Sequence, residues 1–541
     1  MLTKIHEWLD NNLYELGREL RWSYLPPLMV YMAAGISGLT AIVGTFFVKD
    51  YLGLSAAFLA SLGFWANIPW ALKMPVGHLV DLIWRWKSIL VYLGASLIAV
   101  SLVIMIGLLG YREAMTAIMP AGAWFVLSTL LAPVGYVVQD TVADAMTVEA
   151  VPHFEANGEA IDPAKLKLMH TTMQTLGRVA IIGGSVLVAG VNLYLFRDVE
   201  SLPELEKAQI YRDIYTMALA IPLISVAGVL LASFIKHRDI RQMLAKGLSR
   251  EEIDRNLHEN IEKTSPNWWI LGGSLVFIVF TLTMGLSDYV YNQEVIFLGS
   301  MAIVIFLIVK LTRELDASAR RTLVGTAIII FVFRAIPTPG PGMTWWMIDD
   351  LKFDQHFFSI LSLIGSVLTL GGMFIFRRFM AERSIAYVIG ALTIAGTILA
   401  LPFLGMFYGM HEWTAMVTGG VVDAQFIALV NTALESPLGQ IAMIPMLAWI
   451  ANSAPANLKA TFFAVMASFT NLALSLSQLG TRYLNEIYTV TREVRDVSTD
   501  QLQVAADYSQ LGELIIVTIV LGLVLPFMAI FIVRKVRLSW A

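Results

Sequence analysis

The chain has 541 residues, of which 57% are hydrophobic and 14% are charged, and it contains no cysteine. A composition this apolar is not that of a soluble globular protein and predicts a polytopic membrane protein. The lack of cysteine excludes disulfides and thiolate metal sites. No basic tract in the sequence indicates nucleic-acid binding, and the net charge of −4 has little bearing on partners, because in a membrane protein the position of the charges along the chain matters more. No nucleophile constellation, phosphate loop or metal-ligand spacing indicates an enzyme or a cofactor.

Apolar runs long enough to cross a bilayer core of ~30 Å define the organisation of the chain. Fourteen such runs are predicted, and a polar linker at 236–267 separates the first six from the last eight. The leucine stripe of residues 1–23 predicts an interfacial amphipathic helix. The predicted spans are residues 24–48, 56–80, 88–110, 119–146, 168–196, 212–235, 268–287, 291–312, 322–346, 356–376, 385–408, 424–451, 460–487 and 511–533.

The distribution of basic residues predicts the orientation of these spans. With the N-terminus in the cytoplasm, 25 of the 37 Lys and Arg residues fall on inner segments, 8 on outer segments and 4 within spans. Inner loops of membrane proteins carry the excess of Lys and Arg. We therefore expect both termini in the cytoplasm, and a bacterial inner membrane as the location.

The turn after the second span carries Gly77, Asp81 and Arg85 at intervals of four. This spacing resembles the loop between helices two and three of the major facilitator superfamily, with a degenerate counterpart after Gly371-Gly372. The resemblance implies two six-helix bundles around a cavity, with an inserted helix pair between them. Together with Glu149, the three residues of the turn are expected to form a cytoplasmic gate. The predicted domains are residues 1–23, 24–235, 236–267, 268–312 and 322–541.

The fourth span contains carboxylates, at Asp140 and Asp144. They are four residues apart and share one helical face. Ionisable groups within a span are costly, and they normally face a cavity, a partner charge or a proton path. Two interpretations stay open at this stage. The acids take part in proton coupling or substrate contact, or they close an inner gate by pairing with Arg85 or Lys87.

Two cations occupy the neighbouring predicted spans. Arg178 lies about ten residues into the fifth span, and its guanidinium cannot lose its charge. It is expected to face an anionic ligand or a partner acid, for which Asp140 is the natural candidate. Lys73 lies between Pro69 and Pro75 near the inner end of the second span. It either snorkels to the interface or lies beside a cavity along an irregular segment.

A further pair of charges is predicted in the second half of the chain. Arg334 lies about twelve residues into its span, hence at a depth of ~18 Å, directly before the Pro-Thr-Pro-Gly-Pro-Gly run at 337–342. A charge beside broken backbone is typical of a substrate site lined by a discontinuous helix. Glu435, close to Pro437, has an equivalent depth. It is expected to be a buried acid that pairs with Arg334 or exchanges that pair for a substrate or a proton.

Several segments resemble the folate-biopterin transporter family. They are residues 31–55, 69–81, 140–149 and 443–471. The resemblance implies a major facilitator carrier of folates or pterins that uses protons. It extends over both six-helix halves, whereas the pair at 268–312 is not part of the twelve-helix pattern of such carriers.

Within these segments, Lys73, Asp140 and Asp144 match the intramembrane lysine and acids of that family. The stretch that begins at Gln139, together with Pro152 after it, also resembles the muropeptide and acetyl-coenzyme A permease group. A permease for muropeptides or acetyl-coenzyme A is therefore the alternative within the same class.

The sequence thus predicts an all-α polytopic membrane protein with a major facilitator fold of about fourteen helices, arranged 6 + 2 + 6. We expect a proton-coupled secondary transporter of an anionic organic solute, working by alternating access as a monomer in the lipid bilayer. In this hypothesis Arg334 and Arg178 meet substrate carboxylates, while Asp140 and Glu435 take up and release protons. The alternative from another class is an accessory protein that assembles membrane complexes without transport.

Overall fold

A computed structural model describes most of the chain. The predicted amphipathic helix 1–23 and linker 236–267 lie largely outside the described part, so both stay predictions. The described residues are 20–52, 54–71, 73–151, 161–197, 199, 202–245, 249, 268–285, 287, 289–311, 317–376, 379, 383–439, 441, 459–495, 502–536 and 538.

The described residues are mainly helical. We name three groups of elements in chain order. The N-terminal block contains α1 (Leu25–Ile36), α2 (Ala41–Tyr51), α3 (Ala56–Ala71), α4 (Lys73–Leu82), α5 (Ser88–Gly110), α6 (Arg112–Thr116), α7 (Ala121–Ala150), α8 (Pro163–Leu195), α9 (Glu204–Ala218) and α10 (Ala220–Ala245). The inserted pair contains α11 (Trp268–Gly285) and α12 (Asn292–Leu311).

The C-terminal block follows the inserted pair. Its helices are α13 (Ala317–Arg334), α14 (Pro341–Asp349), α15 (Gln355–Ile375), α16 (Ile385–Phe407), α17 (Met410–Thr418), α18 (Ala424–Glu435), α19 (Lys459–Ile487) and α20 (Leu511–Lys535). Strands β1 (Val494–Arg495) and β2 (Leu502–Val504) form a small antiparallel hairpin between α19 and α20. Short 3-10 turns lie at Trp22–Tyr24, Ser37–Thr40, Trp84–Trp86 and Ser436–Leu438.

Nine helical stretches of the described residues are long and apolar enough to cross a bilayer. Where an apolar run has sharp polar borders, the helix bounds match the prediction closely, as in α5 and α16. A helix bonds all its backbone groups internally, which makes it the stable form for such runs in lipid. The helical membrane architecture is therefore confirmed, while the number of fourteen spans stays a prediction. We call the end of the helices predicted to face the cytoplasm the inner end.

The predicted discontinuous helix is present between α13 and α14. The helix stops after Arg334, and residues 336–340 have no regular secondary structure before α14 begins at Pro341. Gly340 has a φ of 76°, a backbone conformation that glycine adopts without strain. Three side chains of α19, one per helical turn, bond to this freed backbone. Ser477 Oγ donates to Ile336 O at 2.6 Å, Thr481 Oγ1 accepts from Thr338 N at 3.0 Å, and Asn485 Nδ2 donates to Pro339 O at 3.2 Å.

The two blocks meet along an antiparallel helix pair. Helix α3 of the N-terminal block packs against α19 of the C-terminal block, and α8 packs against α15. Asn471 Nδ2 donates to Trp70 O at 3.2 Å. Nearer the outer end, a Cβ added at Gly63 would lie 3.4 Å from Gln478 Cγ. The blocks therefore contact each other through helices whose relative movement would open or close the interface.

The inserted pair contacts both blocks. Helices α11 and α12 pack against each other, and α12 packs against α19. Gln293 Nε2, at the start of α12, donates to Ser61 Oγ of α3 at 2.5 Å. Arg482 Nη1 of α19 donates to the Oε1 of the same Gln293 at 3.2 Å. The pair therefore joins the outer ends of α3 and α19.

Further contacts hold the outer ends of the two blocks together. The buried Arg492, just after α19, donates a hydrogen bond to the carbonyl oxygen of Val48 in α2. Its guanidinium also lies 5.0 Å from the ring centroid of Trp345 in α14. Gln355 Nε2 of α15 donates to the Tyr211 hydroxyl of α9 at 2.7 Å. The blocks are thus in contact at the outer end.

Candidate functional site

A three-residue ion cluster lies in the inner half of the N-terminal block. Lys73 Nζ lies 2.6 Å from Asp140 Oδ2 and 2.7 Å from Asp144 Oδ2. Both acids belong to α7 and are one helical turn apart, so a single ammonium on the adjacent α4 reaches both of them. Side-chain exposure is 15% for Lys73, 17% for Asp140 and 39% for Asp144. The cluster is therefore sheltered at the lysine and accessible at Asp144.

Tyr31 of α1 belongs to the same cluster. Its hydroxyl donates to Asp144 Oδ1 at 2.6 Å, and its side chain is buried. Helix α8 approaches the ring closely, because a Cβ added at Gly177 would lie 2.9 Å from Tyr31 Cε2. Tyr31 is not among the site residues predicted from the sequence. The available signal was a tyrosine inside an apolar span, away from the interface where the other tyrosines were expected.

Arg178 follows Gly177 on α8, and its charge acts on the nearby Tyr31 hydroxyl. The expectation that Arg178 pairs with Asp140 is wrong, because Lys73 is the cation in contact with that acid. Within the described part of the chain, Arg178 forms no ion pair. A guanidinium stays charged in any environment, so it needs an anion or water as its partner. Arg178 is therefore a cation available to a ligand beside the cluster.

The four charged groups balance one another. Lys73 and Arg178 supply two positive charges, and Asp140 and Asp144 supply two negative charges when both are ionised. Partly buried charges persist only when they are compensated in this manner. An additional anion at Arg178 would leave the site with one uncompensated negative charge, and one proton would restore the balance.

A second ion pair closes the inner end of the N-terminal block. Lys87 Nζ lies 2.7 Å from Glu149 Oε1 and 4.0 Å from the ring centroid of Trp84. The expectation that Lys87 pairs with Asp140 or Asp144 is wrong. Glu149 lies closer to the inner end of α7 than either acid, and its carboxylate contacts Lys87 instead. Burial lowers the pKa of Lys87, and Glu149 opposes this shift.

The other members of the expected gate lie near this pair in the chain. Gly77 is a half-buried residue of α4. The side chains of Asp81 and Arg85 lie outside the described part of the structure. The four-residue gate therefore stays a prediction. Lys87, which contacts Glu149, is not one of its four predicted members.

Glu149→Gln is expected to lower the free energy of unfolding by about 1–2 kcal/mol, because the buried Lys87 ammonium loses its carboxylate. The effect is smaller than for a fully buried pair, since the Glu149 side chain is 40% exposed. Without Glu149 the pKa of Lys87 falls further, so the deficit shrinks as the pH rises from that value to the pKa of Lys87 in the wild-type protein, which burial holds below the ordinary lysine value. Thermal unfolding in detergent across pH measures this effect. Equal stability of Glu149→Gln and the exposed control Glu113→Gln would contradict it.

Arg334 and Glu435 belong to helices of the C-terminal block, whereas Lys73, Asp140 and Asp144 belong to helices of the N-terminal block. Arg334 is the last residue of α13, directly before the broken segment. Glu435 is the last residue of α18, and its Oε2 accepts from Asn431 Nδ2 at 3.4 Å. The expectation of a buried Glu435 carboxyl is wrong, because the side chain is exposed at the end of its helix. A charged group accessible within a membrane helix is typical of a cavity lining.

Comparisons with known proteins agree with this architecture. The model of the BT1 family matches residues 265–538, just over half of the chain. This range includes the inserted pair at 268–312, over which the resemblance seen in the sequence did not extend. A folate-biopterin transporter of Synechocystis sp. is 23% identical over 466 residues, which cover 85% of this chain and 74% of that protein.

Solved structures of transporters share the fold. A POT family transporter in complex with a thioalcohol-conjugated peptide aligns with a TM-score of 0.58 and 12% identity, over 96% of each chain. A mutant of the nucleoside transporter NupG aligns with a TM-score of 0.54 and 13% identity, over 94% of this chain and 100% of that one. The resemblance to folate-biopterin transporters and the all-α major facilitator fold are thus confirmed. The chain belongs to the BT1 family and is a multi-pass membrane transporter of small molecules, not an enzyme.

Proposed function

We propose that the protein is a proton-coupled carrier of an anionic organic solute of the folate or pterin class. The observation that carries this proposal is Arg178, a guanidinium without a carboxylate partner among the described residues, beside a lysine that bridges two acids. A fixed cation at a partly accessible site is suited to a substrate carboxylate. The relative from Synechocystis sp., named a folate-biopterin transporter, supports the substrate class.

Charge balance supplies the reason for proton coupling. A substrate carboxylate at Arg178 adds one negative charge close to Asp140 and Asp144, and repulsion between like charges is strong at low dielectric. A proton on one of the two acids removes that repulsion while Lys73 stays paired with the other acid. Substrate and proton therefore bind more favourably together than either does alone, which is the requirement for symport.

The arrangement of the two blocks supports alternating access. The outer ends are in contact, while the ion cluster lies in the inner half of the N-terminal block. The C-terminal block contributes a discontinuous helix with Arg334 and, at the end of another helix, an accessible Glu435. In this proposal they form the opposite wall of the site, where Arg334 meets a second substrate carboxylate and Glu435 exchanges a proton.

Uptake into proteoliposomes tests the proposal. The labelled panel contains folate, reduced pterins, an anhydromuropeptide and acetyl-coenzyme A, each with and without an imposed pH gradient. Gradient-dependent accumulation of folate or a pterin is the expected result. Accumulation of the muropeptide or of acetyl-coenzyme A instead would overturn the substrate class, and uptake that ignores the gradient would overturn the coupling. No uptake or counterflow of any compound would favour the accessory-protein hypothesis.

Asp140→Asn is expected to abolish gradient-driven accumulation while substrate exchange continues. The amide keeps the shape of the side chain but cannot take up and release a proton, so the proton step is lost and the binding step is retained. Parallel accumulation and counterflow assays measure the two activities. The matched control is Asp213→Asn, an exposed residue of α9. An equal loss of accumulation and exchange would contradict a proton role for Asp140 and leave a structural one.

A further inference from the structure

A hydrogen bond between the two blocks ends three residues before Lys73. Asn471 Nδ2 of α19 donates to Trp70 O of α3 at 3.2 Å, across 401 positions of the chain. Lys73 is the first residue of α4, and its ammonium lies 2.6 Å from Asp140 and 2.7 Å from Asp144. The C-terminal block therefore contacts the chain segment that carries the cation of the ion cluster.

The backbone around Lys73 lacks part of its own support. Pro69 and Pro75 flank the lysine, and a proline has no N–H to give to the carbonyl oxygen four residues earlier. Helices bend at such positions, because a turn without its hydrogen bond is weaker. Trp70 O lies between the two prolines, in the last turn of α3. A donor from another helix that bonds this oxygen fixes the direction in which the chain continues to Lys73.

The face of α19 that contacts α3 carries polar side chains along about three turns. At intervals of three or four residues, which place them on one helical face, it presents Ser468, Asn471, Ser475 and Gln478. Ser468 and Ser475 are fully buried, and their hydroxyl groups have no hydrogen-bond partner among the described residues. Water that enters when the blocks part can bond these hydroxyls, so separation of this face costs less than separation of an apolar one. The bond of Asn471 thus belongs to an interface suited to separation.

We infer that Asn471 is a positioning residue for Lys73. While α3 and α19 are together, its bond to Trp70 O holds the lysine between Asp140 and Asp144. When the blocks part at this interface, the bond breaks and the lysine loses that constraint. The ion cluster of the N-terminal block thereby responds to the position of the C-terminal block. This role rests on the proposed function, in which the cluster takes part in the transport cycle.

Thermal unfolding of the purified full-length protein in detergent tests this role by a double-mutant cycle. Asn471→Leu keeps the shape of the side chain and removes the amide donor. We expect it to lower the unfolding temperature of the Lys73→Met variant by at most about half as much as that of the wild type, because the lysine that it positions is absent. Asn485→Leu is the matched control, since Asn485 Nδ2 of the same helix donates to Pro339 O at the same distance of 3.2 Å. It is expected to lower both temperatures equally, and equal decreases for Asn471→Leu would overturn the positioning role.

Two further variants of Asn471 complete the test. Asn471→Ala repeats the unfolding cycle if Asn471→Leu fails to fold, since the smaller side chain cannot clash in the interface. Asn471→Gln keeps an amide donor and is expected to retain about tenfold more gradient-driven accumulation than Asn471→Leu, the factor that one hydrogen bond supplies. Equal losses in these two variants would overturn the hydrogen bond as the cause. The unfolding cycle contains no substrate and no pH gradient, so unequal decreases support the positioning role even if the uptake panel overturns the proposed substrate or coupling.

Discussion

Transport is expected to fall by at least about 100-fold in Lys73→Met, equivalent to about 2.7 kcal/mol at 1.36 kcal/mol per tenfold. The substitution keeps most of the length of the side chain and removes the charge that both Asp140 and Asp144 contact. Loss of one partner from a buried ion pair costs about 3–5 kcal/mol, because the remaining charge is uncompensated. Lys73→Arg keeps the charge and is expected to retain part of the activity. Uptake of the identified substrate into proteoliposomes measures both variants.

Two further variants separate charge balance from transport. Lys73→Met combined with Asp144→Asn removes one charge of each sign and is expected to recover the thermal stability that Lys73→Met loses. The double variant is still expected to be inactive, since Asp140 no longer has its cation partner. Lys236→Met, at an exposed position of α10, is the matched control. Wild-type uptake by Lys73→Met would exclude the cluster from the transport cycle.

A disulfide between α3 and α19 is expected to stop transport, with more than about 90% of uptake lost on oxidation and regained with reductant. A Cβ added at Gly63 lies 3.4 Å from Gln478 Cγ, the position that the Sγ of Gln478→Cys takes, so a disulfide between Gly63→Cys and Gln478→Cys is within reach. Since the chain contains no cysteine, no other disulfide can form. The cross-link joins the two blocks at the interface where alternating access requires movement.

A matched pair within one block provides the control for cross-linking. A Cβ added at Gly365 of α15 lies 3.3 Å from Ser436 Oγ, next to α18 in the same C-terminal block. Gly365→Cys with Ser436→Cys is expected to form its disulfide and to keep its transport activity, because neither helix moves relative to the other as the blocks rock. Full transport by the oxidised pair between α3 and α19 would show that this interface stays fixed during the cycle.

The sequence by itself determined the membrane class, the helical architecture and the position of the broken helix. These properties depend on local chemistry. A run of about 20 apolar residues is stable in lipid only as a helix, and the Pro-Thr-Pro-Gly-Pro-Gly run after Arg334 cannot continue one. The same local argument selected Asp140 and Asp144, since a carboxylate inside an apolar run is costly wherever the helix packs.

Only the tertiary structure decided which charges meet. Lys73 contacts Asp140 across 67 positions of the chain, and Tyr31 contacts Asp144 across 113. Such contacts depend on which helices are neighbours and on their rotation, and the helical period of one span carries no information about the facing span. For this reason the sequence paired Arg178 with Asp140, while the packing of α4 and α1 against α7 satisfies both acids and leaves the Arg178 guanidinium available to an anion.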